Sequence, residues 1–313
     1  MEVSKNGSGL FAAIEAGGTK TVCALADVEG RFLAKTRIPT GDADQTFDAV
    51  RAFFRGAMDA GAALSGVGVA AFGPIDITPT SPNYGALLNT PKPGWRGANF
   101  VDALSDLGAP VRVDTDVNGA AIGEALAGAG RGLETLAYVT VGTGIGVGVL
   151  RDGRPCSGIG HYEMGHIRPH HDLAKDPYPG RCPFHSDCLE GLASGPAIAA
   201  RWGAPLNELP DEVREAAIAL EAEYLGSLAL TVMLTHMPDR LIFGGGVMKA
   251  PGLIQAVRAA TRDLLGGYVS DRRVDGDLSS YISPPALGDD AGLVGAAALA
   301  RSAAAALAPQ ASR

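Results

Sequence analysis

The chain has 313 residues, more than the roughly 250–300 at which one hydrophobic core usually stops growing, so two domains are expected. It is 46% hydrophobic and contains 43 glycines, which favours well-filled cores and several close approaches of backbone to a ligand. The net charge of −8 argues against nucleic acid or an anionic membrane as a partner, because either would need a basic face.

The first part of the sequence predicts a sheet that opens with antiparallel strands. Short β-favouring runs at 10–16 and within 21–39 are separated by the turn 17–20 and by Glu29-Gly30, which indicates three successive strands. The elements expected after them are a helix over 43–60, a buried strand at 67–73, a helix near 99–107, a strand at 111–114 and a helix from Val117 to about Gly130.

The same plan recurs from residue 136. Residues 136–156 again predict a strand, a glycine turn, a second strand and an Asp152-Gly153 hairpin turn. The later elements are helices at 211–236, about 252–267 and 290–306, with a strand at 240–246 before the second of them. Hairpin starts of this kind disfavour a simple Rossmann sheet, and neither a Walker loop nor an early G-x-G-x-x-G fingerprint is present.

The N-terminal region and the cysteines bear on the cellular compartment. The apolar stretch 10–16 is too short for a signal sequence, and no apolar run was expected to be long enough to span a bilayer. Cys23 and Cys156 do not suggest a disulfide framework. We therefore expect a cytoplasmic protein without a membrane partner.

Two glycine loops occupy matching positions of the two halves. In 15–20 and 141–148, glycines between hairpin strands allow successive backbone N–H groups to point at an anion, and Thr19 and Thr143 can add hydroxyl donors. Either loop alone could be an ordinary glycine-tightened hairpin. A third run, 241–248, has three glycines between a strand and a helix, where a flat base or ribose could lie on the backbone.

Asp116 follows a short strand and precedes a helix that also holds Asn118 and Glu124. A carboxylate at a strand end can act as a base, but the local sequence favours Asp116 as simply the N-cap of the helix. The sequence alone leaves both interpretations open.

A cluster of zinc-type ligands lies between Glu163 and Glu190. The motif C-x2-H-x2-C, together with one earlier histidine, offers two thiolates and two imidazoles, which suit tetrahedral zinc and leave no open coordination position for catalysis. The four ligands are His166, Cys182, His185 and Cys188. We expect a structural Zn²⁺, although chance proximity in a polar loop is the alternative.

Six motifs in this order resemble the sugar kinases of the ROK family, in particular their bacterial fructokinase branch. They are GGTK (17–20), DTDVNGAA (114–121), VGTGIGVG (141–148), EMGH (163–166), the Cys/His loop and FGGG (243–246). The resemblance covers nearly the whole chain, including the segments 71–85 and 89–95, which are similar to the sugar side of fructokinases. It implies an α/β, actin-like ATPase (ribonuclease H-like) fold, duplicated into two domains with a central cleft. The implied N-terminal domain is 1–116 plus 290–313, and the implied C-terminal domain is 117–289 with a zinc loop at 163–190.

The resemblance also implies roles for single residues. Asp116 would be the general base, and Glu163, His166, Glu190 and Thr115 would contact the sugar, with His166 shared between sugar and metal. The implied ATP-binding residues are Gly17, Gly18, Thr19, Lys20, Gly142, Thr143, Gly144, Pro196, Gly244, Gly245 and Gly246. The implied activity is transfer of the γ-phosphate of ATP, with Mg²⁺, to the 6-hydroxyl of D-fructose by a homodimeric enzyme.

Two departures separate the chain from ROK glucokinases. Thr115 stands where many of them carry Asn, and the metal loop is C-x2-H-x2-C where they have C-x-C-x4-C. The open alternatives are a kinase of mannose or glucose, and a sugar-binding ROK regulator. A regulator would need a DNA-binding helix-turn-helix, for which the segment before Gly17 has no room.

Overall fold

The computed structural model describes residues 9–58 and 63–307. These residues group into two compact units. Unit 1 contains the described residues up to Gly123, residues 157–161 and the described residues from Asp290 onward, and unit 2 contains residues 124–156 and 162–289. The division therefore falls inside a helix, after Gly123, whereas the domain boundary expected from the sequence lies at 116/117.

Unit 1 is built on a five-stranded sheet with the order β3-β2-β1-β4-β5. Its strands are β1 (Leu10–Ala16), β2 (Lys20–Ala26), β3 (Phe32–Pro39), β4 (Leu64–Ala71) and β5 (Val111–Thr115). The first three pair antiparallel, and β4 and β5 continue the sheet in parallel. The predicted three-strand opening is confirmed.

Helices cover both faces of this sheet. They are α1 (Ala43–Met58), α2 (Phe100–Ala103), α3 (Asp116–Ala127) and α8 (Ala291–Leu307), with 3-10 turns at Ser105–Leu107 and Gly288–Asp290. Strands β1 and β4 are mostly apolar because one face packs on the α1 side and the other on α8, with Glu15 and Ser65 as the polar exceptions. The edge strand β3 alternates between half-buried and exposed residues. Residues 59 and 60 of the predicted first helix lie outside the described residues.

Unit 2 repeats the plan with the strand order β10-β9-β6-β7-β8. Its strands are β6 (Thr135–Val141), β7 (Ile145–Arg151), β8 (Arg154–Pro155), β9 (Arg240–Gly244) and β10 (Ile282–Ser283). Strands β6, β7 and β8 pair antiparallel, and β9 and β10 are added in parallel. Two sheets of one topology confirm the duplicated, actin-like α/β fold.

The helices of unit 2 enclose a large apolar core. They are α4 (Leu189–Ala193), α5 (Gly195–Trp202), α6 (Asp211–His236) and α7 (Leu253–Leu265), with 3-10 turns at Met164–His166, Leu206–Glu208 and Val247–Lys249. The short elements α4, α5 and β10 were not expected from the sequence, because runs of two to eight residues carry too little periodicity.

Helix α6 corrects one expectation. Within the described residues it is the one helix whose length and mean hydropathy, 1.5, would suffice to cross a membrane. The expectation that no apolar run is long enough to span a bilayer is therefore wrong by length and hydropathy alone. However, 56% of its most apolar stretch is buried inside the protein. Because a core helix passes the same test, α6 is weak evidence for a membrane span.

Candidate functional site

The first glycine loop joins β1 to β2, and two backbone hydrogen bonds hold it in place. The N–H of Gly17 donates to the Lys20 carbonyl at 2.9 Å, and the N–H of Thr40 donates to the Thr19 carbonyl at 3.0 Å. By contrast, the N–H groups of Gly18 and Thr19 donate to no acceptor among residues 9–58 and 63–307. These two neighbouring N–H groups and the Thr19 hydroxyl are donors of the kind that the sequence predicts for an anion site.

Asp116 is the first residue of α3, at the carboxyl end of β5. The helix is capped by the preceding residue, because Oγ1 of Thr115 accepts a hydrogen bond from the Asn118 N–H at 3.1 Å. The alternative that Asp116 is the N-cap is therefore wrong. Its Oδ1 accepts from the N–H of Val117 at 2.8 Å.

The family resemblance implies that Thr115 contacts the sugar. In the structure Thr115 is buried, and its hydroxyl oxygen accepts the capping hydrogen bond of α3. Its hydroxyl proton can still be donated to another group.

Two further carboxyls accompany Asp116 in unit 1. Burial raises the pKa of Asp114, against hydrogen bonds from Asn118 and from the N–H of Thr115. Burial, and then the charge of Asp116, raise the pKa of Glu15 to about 7, against the opposing charge of Lys20. Neither residue was singled out from the sequence, although the D-T-D alternation and the Glu before the first glycine turn are visible there.

The second glycine loop joins β6 to β7 in unit 2. The N–H of Gly142 donates to the Gly144 carbonyl at 2.9 Å, and the Gly142 carbonyl accepts from the N–H of Gly195 at 2.8 Å. This bond brings the start of α5, where Pro196 lies, to the loop. Thr143 is exposed at the tip.

Glu190 lies against the same loop. Its Oε2 accepts the N–H of Ile145 at 2.9 Å, and a Cβ on residue 144 would stand 2.6 Å from that oxygen, which accounts for Gly144. Glu190, expected as a sugar ligand, thus also supports the loop, a role that the sequence did not reveal.

The third glycine run is explained largely by packing. Gly245 has φ +94° and lies so close to Val141 that a Cβ would come within 2.3 Å of its carbonyl oxygen. A Cβ on Gly244 would meet the Tyr138 hydroxyl at 2.2 Å, whereas Gly246 faces open space. Of the three, only Gly246 is left unexplained by contacts within the protein.

The four predicted metal ligands come together in unit 2. One ligand atom from each of the set lies within 4.8 Å of the others: His166, Cys182, His185 and Cys188. Nδ1 of His166 is 3.4 Å from Sγ of Cys188 and 3.8 Å from Sγ of Cys182, and Nδ1 of His185 is 3.6 Å from Sγ of Cys182. Tetrahedral zinc with ordinary bond lengths would place its nitrogen and sulfur ligands about 3.6 Å apart, so the set fits this ion.

Glu163, the first of the two carboxylates that flank the metal ligands in the sequence, lies beside His166. Oε2 of Glu163 is 4.0 Å from Nε2 of His166, the ring nitrogen opposite the one that faces the cysteines. Burial raises the pKa of Cys188 to about 11. A cation beside Cys188 would favour its thiolate.

The duplicated topology places the protein in the class of actin-like ATPase folds. The model of the ROK family matches residues 11–303, and the chain belongs to this family. A fructokinase of Zymomonas mobilis is 42% identical over 298 residues, which cover 95% of this chain and 98% of that enzyme. A fructokinase of Streptococcus mutans is 38% identical, covering 90% of this chain and 94% of that enzyme.

A solved structure supports the same assignment. The ROK family glucokinase of Streptomyces griseus, in complex with glucose and AMPPNP, superposes with a TM-score of 0.74. It is 28% identical and matches 94% of this chain and 100% of that chain.

Proposed function

We propose that this protein is an ATP-dependent fructokinase, which transfers the γ-phosphate of ATP to the 6-hydroxyl of D-fructose and gives fructose 6-phosphate and ADP. The observation that carries the proposal is the identity of 42% and 38% to enzymes named fructokinase over at least nine-tenths of the chain. Relatives named glucokinase are 26% and 28% identical. The substrate is thus a hexose, with mannose and glucose as the competing choices.

Asp116 is proposed as the general base. A sugar hydroxyl is a weak nucleophile, so a carboxylate must accept its proton as the oxygen attacks phosphorus. Asp116 suits this because it is a carboxylate at the first residue of α3, where the carboxyl end of β5 delivers it. Phosphoryl transfer otherwise needs positioning and charge neutralisation, which the N–H groups of Gly18 and Thr19 can supply.

The second loop, Gly142 to Gly144, and Pro196 are proposed as ATP-binding residues of unit 2, and Lys20 as one of unit 1. Gly246 is proposed to lie against the adenosine, because a Cβ there would meet no protein atom.

Mg²⁺ would neutralise phosphate charge, and it binds proteins through one or two carboxylates plus substrate oxygens. Glu15 fits such a role, because burial and the charge of Asp116 raise its pKa to about 7 without a metal ion beside it.

A zinc ion is proposed at His166, Cys182, His185 and Cys188, where it would link the ends of the 163–190 segment without entering the reaction. His166 would give Nδ1 to the metal and present Nε2, beside Glu163, to the sugar. The Glu190 carboxylate would accept a sugar hydroxyl through the oxygen that does not hold Ile145.

The activity is tested by measuring ADP release with D-fructose, D-mannose and D-glucose. We expect the highest kcat/KM with fructose, and a higher value for another hexose would reassign the substrate. Asp116→Asn should lower kcat by about 10²–10⁴-fold with an unchanged melting temperature. Near-normal turnover by a folded Asp116→Asn enzyme would remove the assigned base.

Zinc is tested by metal analysis of the protein as purified. We expect about one zinc per chain and, after Co²⁺ replacement, the absorption of a tetrahedral thiolate site, both lost in Cys182→Ser. A metal-free protein with the same melting temperature and activity would rule the site out. A cytoplasmic homodimer without nucleic-acid or membrane partners remains our expectation, which light scattering and cell fractionation test.

A further inference from the structure

We infer that Lys92 is a positioning residue for the first glycine loop, acting on the bound phosphates through the backbone of Gly18. The inference rests on the proposed function, because it takes the 17–20 loop as a phosphate site. The sequence placed Lys92 only within a segment similar to the sugar side of fructokinases. The structure instead brings its ammonium to the loop.

Lys92 Nζ donates to two backbone carbonyls of unit 1. The distances are 2.8 Å to the oxygen of Gly18 and 3.0 Å to that of Thr40. Both acceptors are neutral backbone carbonyls rather than carboxylates. Lys92 therefore brings a positive charge to the loop, and it retains a third N–H.

The contact with Gly18 determines where the next N–H points. In a trans peptide the C=O and the N–H lie in one plane and point in opposite directions. A lysine that holds the Gly18 carbonyl on one side therefore turns the Thr19 N–H to the other side. The same N–H has no acceptor among the described residues. The positive charge on the carbonyl also polarises the peptide and makes this N–H a stronger donor.

The next carbonyl of the loop is held by a backbone donor. The Thr19 oxygen accepts from the N–H of Thr40, the residue whose own carbonyl Lys92 holds. The ammonium thus links the Gly18 carbonyl to the residue that follows β3, and the Thr40 N–H holds the Thr19 carbonyl beside it.

The segment that carries Lys92 is anchored in the core. Trp95 is fully buried, and its Nε1 donates to the Gly41 carbonyl at 2.8 Å. Its ring packs edge-on against Phe47 and Phe72 at centroid distances of 5.4 and 5.1 Å. Because the backbone at 95 is held this firmly, Lys92 reaches the loop from a fixed base rather than as a mobile surface lysine.

Lys92→Met, which keeps most of the stem and removes the charge, is the informative variant. We expect binding of ATP and ADP to weaken by about tenfold, the effect of ~1.4 kcal/mol, with adenosine binding unchanged, because only phosphate meets the loop. Lys92→Arg should recover part of the loss. Lys175→Met, which breaks an exposed ion pair with Glu223, is the matched control and should bind like the wild type.

Binding is measured by calorimetry on the full chain, so the outcome does not depend on which hexose is phosphorylated. Equal ATP affinity of Lys92→Met and wild type would overturn the inference, as would an equal loss for adenosine. Trp95→Phe loosens the same segment without touching the charge. Suppose that Trp95→Phe and Lys92→Met lower the melting temperature equally and also weaken ATP binding equally. Lys92 would then act only through the stability of the segment, and the inference would fail. Failure of the proposed function would appear separately, as nucleotide binding without turnover of any hexose.

Discussion

Glu221, in the middle of α6, is a buried carboxyl whose ionisation should make the protein less stable at alkaline pH. Its side chain has no exposed surface, and Oε1 lies 3.3 Å from Nη1 of Arg201. Oε2 has no hydrogen-bond partner among the described residues. Arg201 is already engaged by Asp176, with its Nη2 3.0 Å from Oδ2. Glu221 therefore shares one cation with a second acid.

Burial raises the pKa of Glu221 from 4.5 to about 8, against the charge of Arg201. Because the folded pKa lies above the unfolded one, folding favours the protonated acid, and stability is lost as pH rises from about 4.5 to about 8. At 1.36 kcal/mol per pKa unit, the loss is about 2 kcal/mol at pH 6 and about 5 kcal/mol at pH 9. Glu221→Gln has no proton to lose, so its stability relative to wild type should rise by about 3 kcal/mol between these pH values.

The assay is urea unfolding of both proteins at pH 6 and pH 9, with hydrogen exchange of the α6 amides to report this helix specifically. The control is Glu223→Gln, two residues away on the same helix, where the carboxylate is exposed and paired with Lys175. Its difference from wild type should stay constant within about 0.5 kcal/mol. Parallel pH profiles of Glu221→Gln and wild type would refute the reasoning.

Four further substitutions test other contacts. Glu124 accepts N–H groups of residues 129, 286 and 287, so Glu124→Gln should lower the free energy of unfolding by about 2–3 kcal/mol, and an unchanged urea midpoint would contradict this. Gly245→Ala forces a clash with Val141 at a positive φ and should yield little folded protein. Gly246→Ala meets no protein atom, so it should fold normally and raise the KM for ATP. Equal melting temperatures of the two variants would contradict the packing explanation. Thr115→Val removes the cap of α3 and should cost about 1 kcal/mol in thermal unfolding, and a neutral result would show that the cap contributes nothing.

Much of the fold could be predicted because strong local patterns coincide with its elements. The long helix α6 was expected at the residues where it is found, and both hairpin starts were readable from a β-favouring run, a glycine turn and a second run. The predicted helix near 99–107 is instead a four-residue helix, α2, followed by a 3-10 turn that ends at Gly108 in the left-handed region. Periodicity cannot distinguish one longer helix from a four-residue helix and a 3-10 turn over so few residues.

Parts of the candidate site that are encoded by a local motif could be predicted from the sequence. Parts that depend on contacts between distant residues could not. Spacing indicated the Cys/His set, and its four ligand atoms do converge. The capping role of Thr115 and the packing role of Gly245 depend on backbone dihedrals and on a neighbouring strand. The contact between Lys92 and Gly18 joins residues 74 positions apart, which no local pattern encodes.

The position of α8 in the chain has a consequence for synthesis. Its small residues pack so closely on β4 that a Cβ on Gly68 would lie 2.0 Å from the Ala296 carbonyl oxygen. Residues 116–290 separate the end of β5 from α8, so the ribosome needs roughly 10 to 35 s between the two. During that interval the apolar face formed by Phe11, Ala13 and Ala70 has no cover from α8. Nascent unit 1 therefore exposes this apolar face to aggregation, and a slow stretch of translation before α8 would lengthen that exposure.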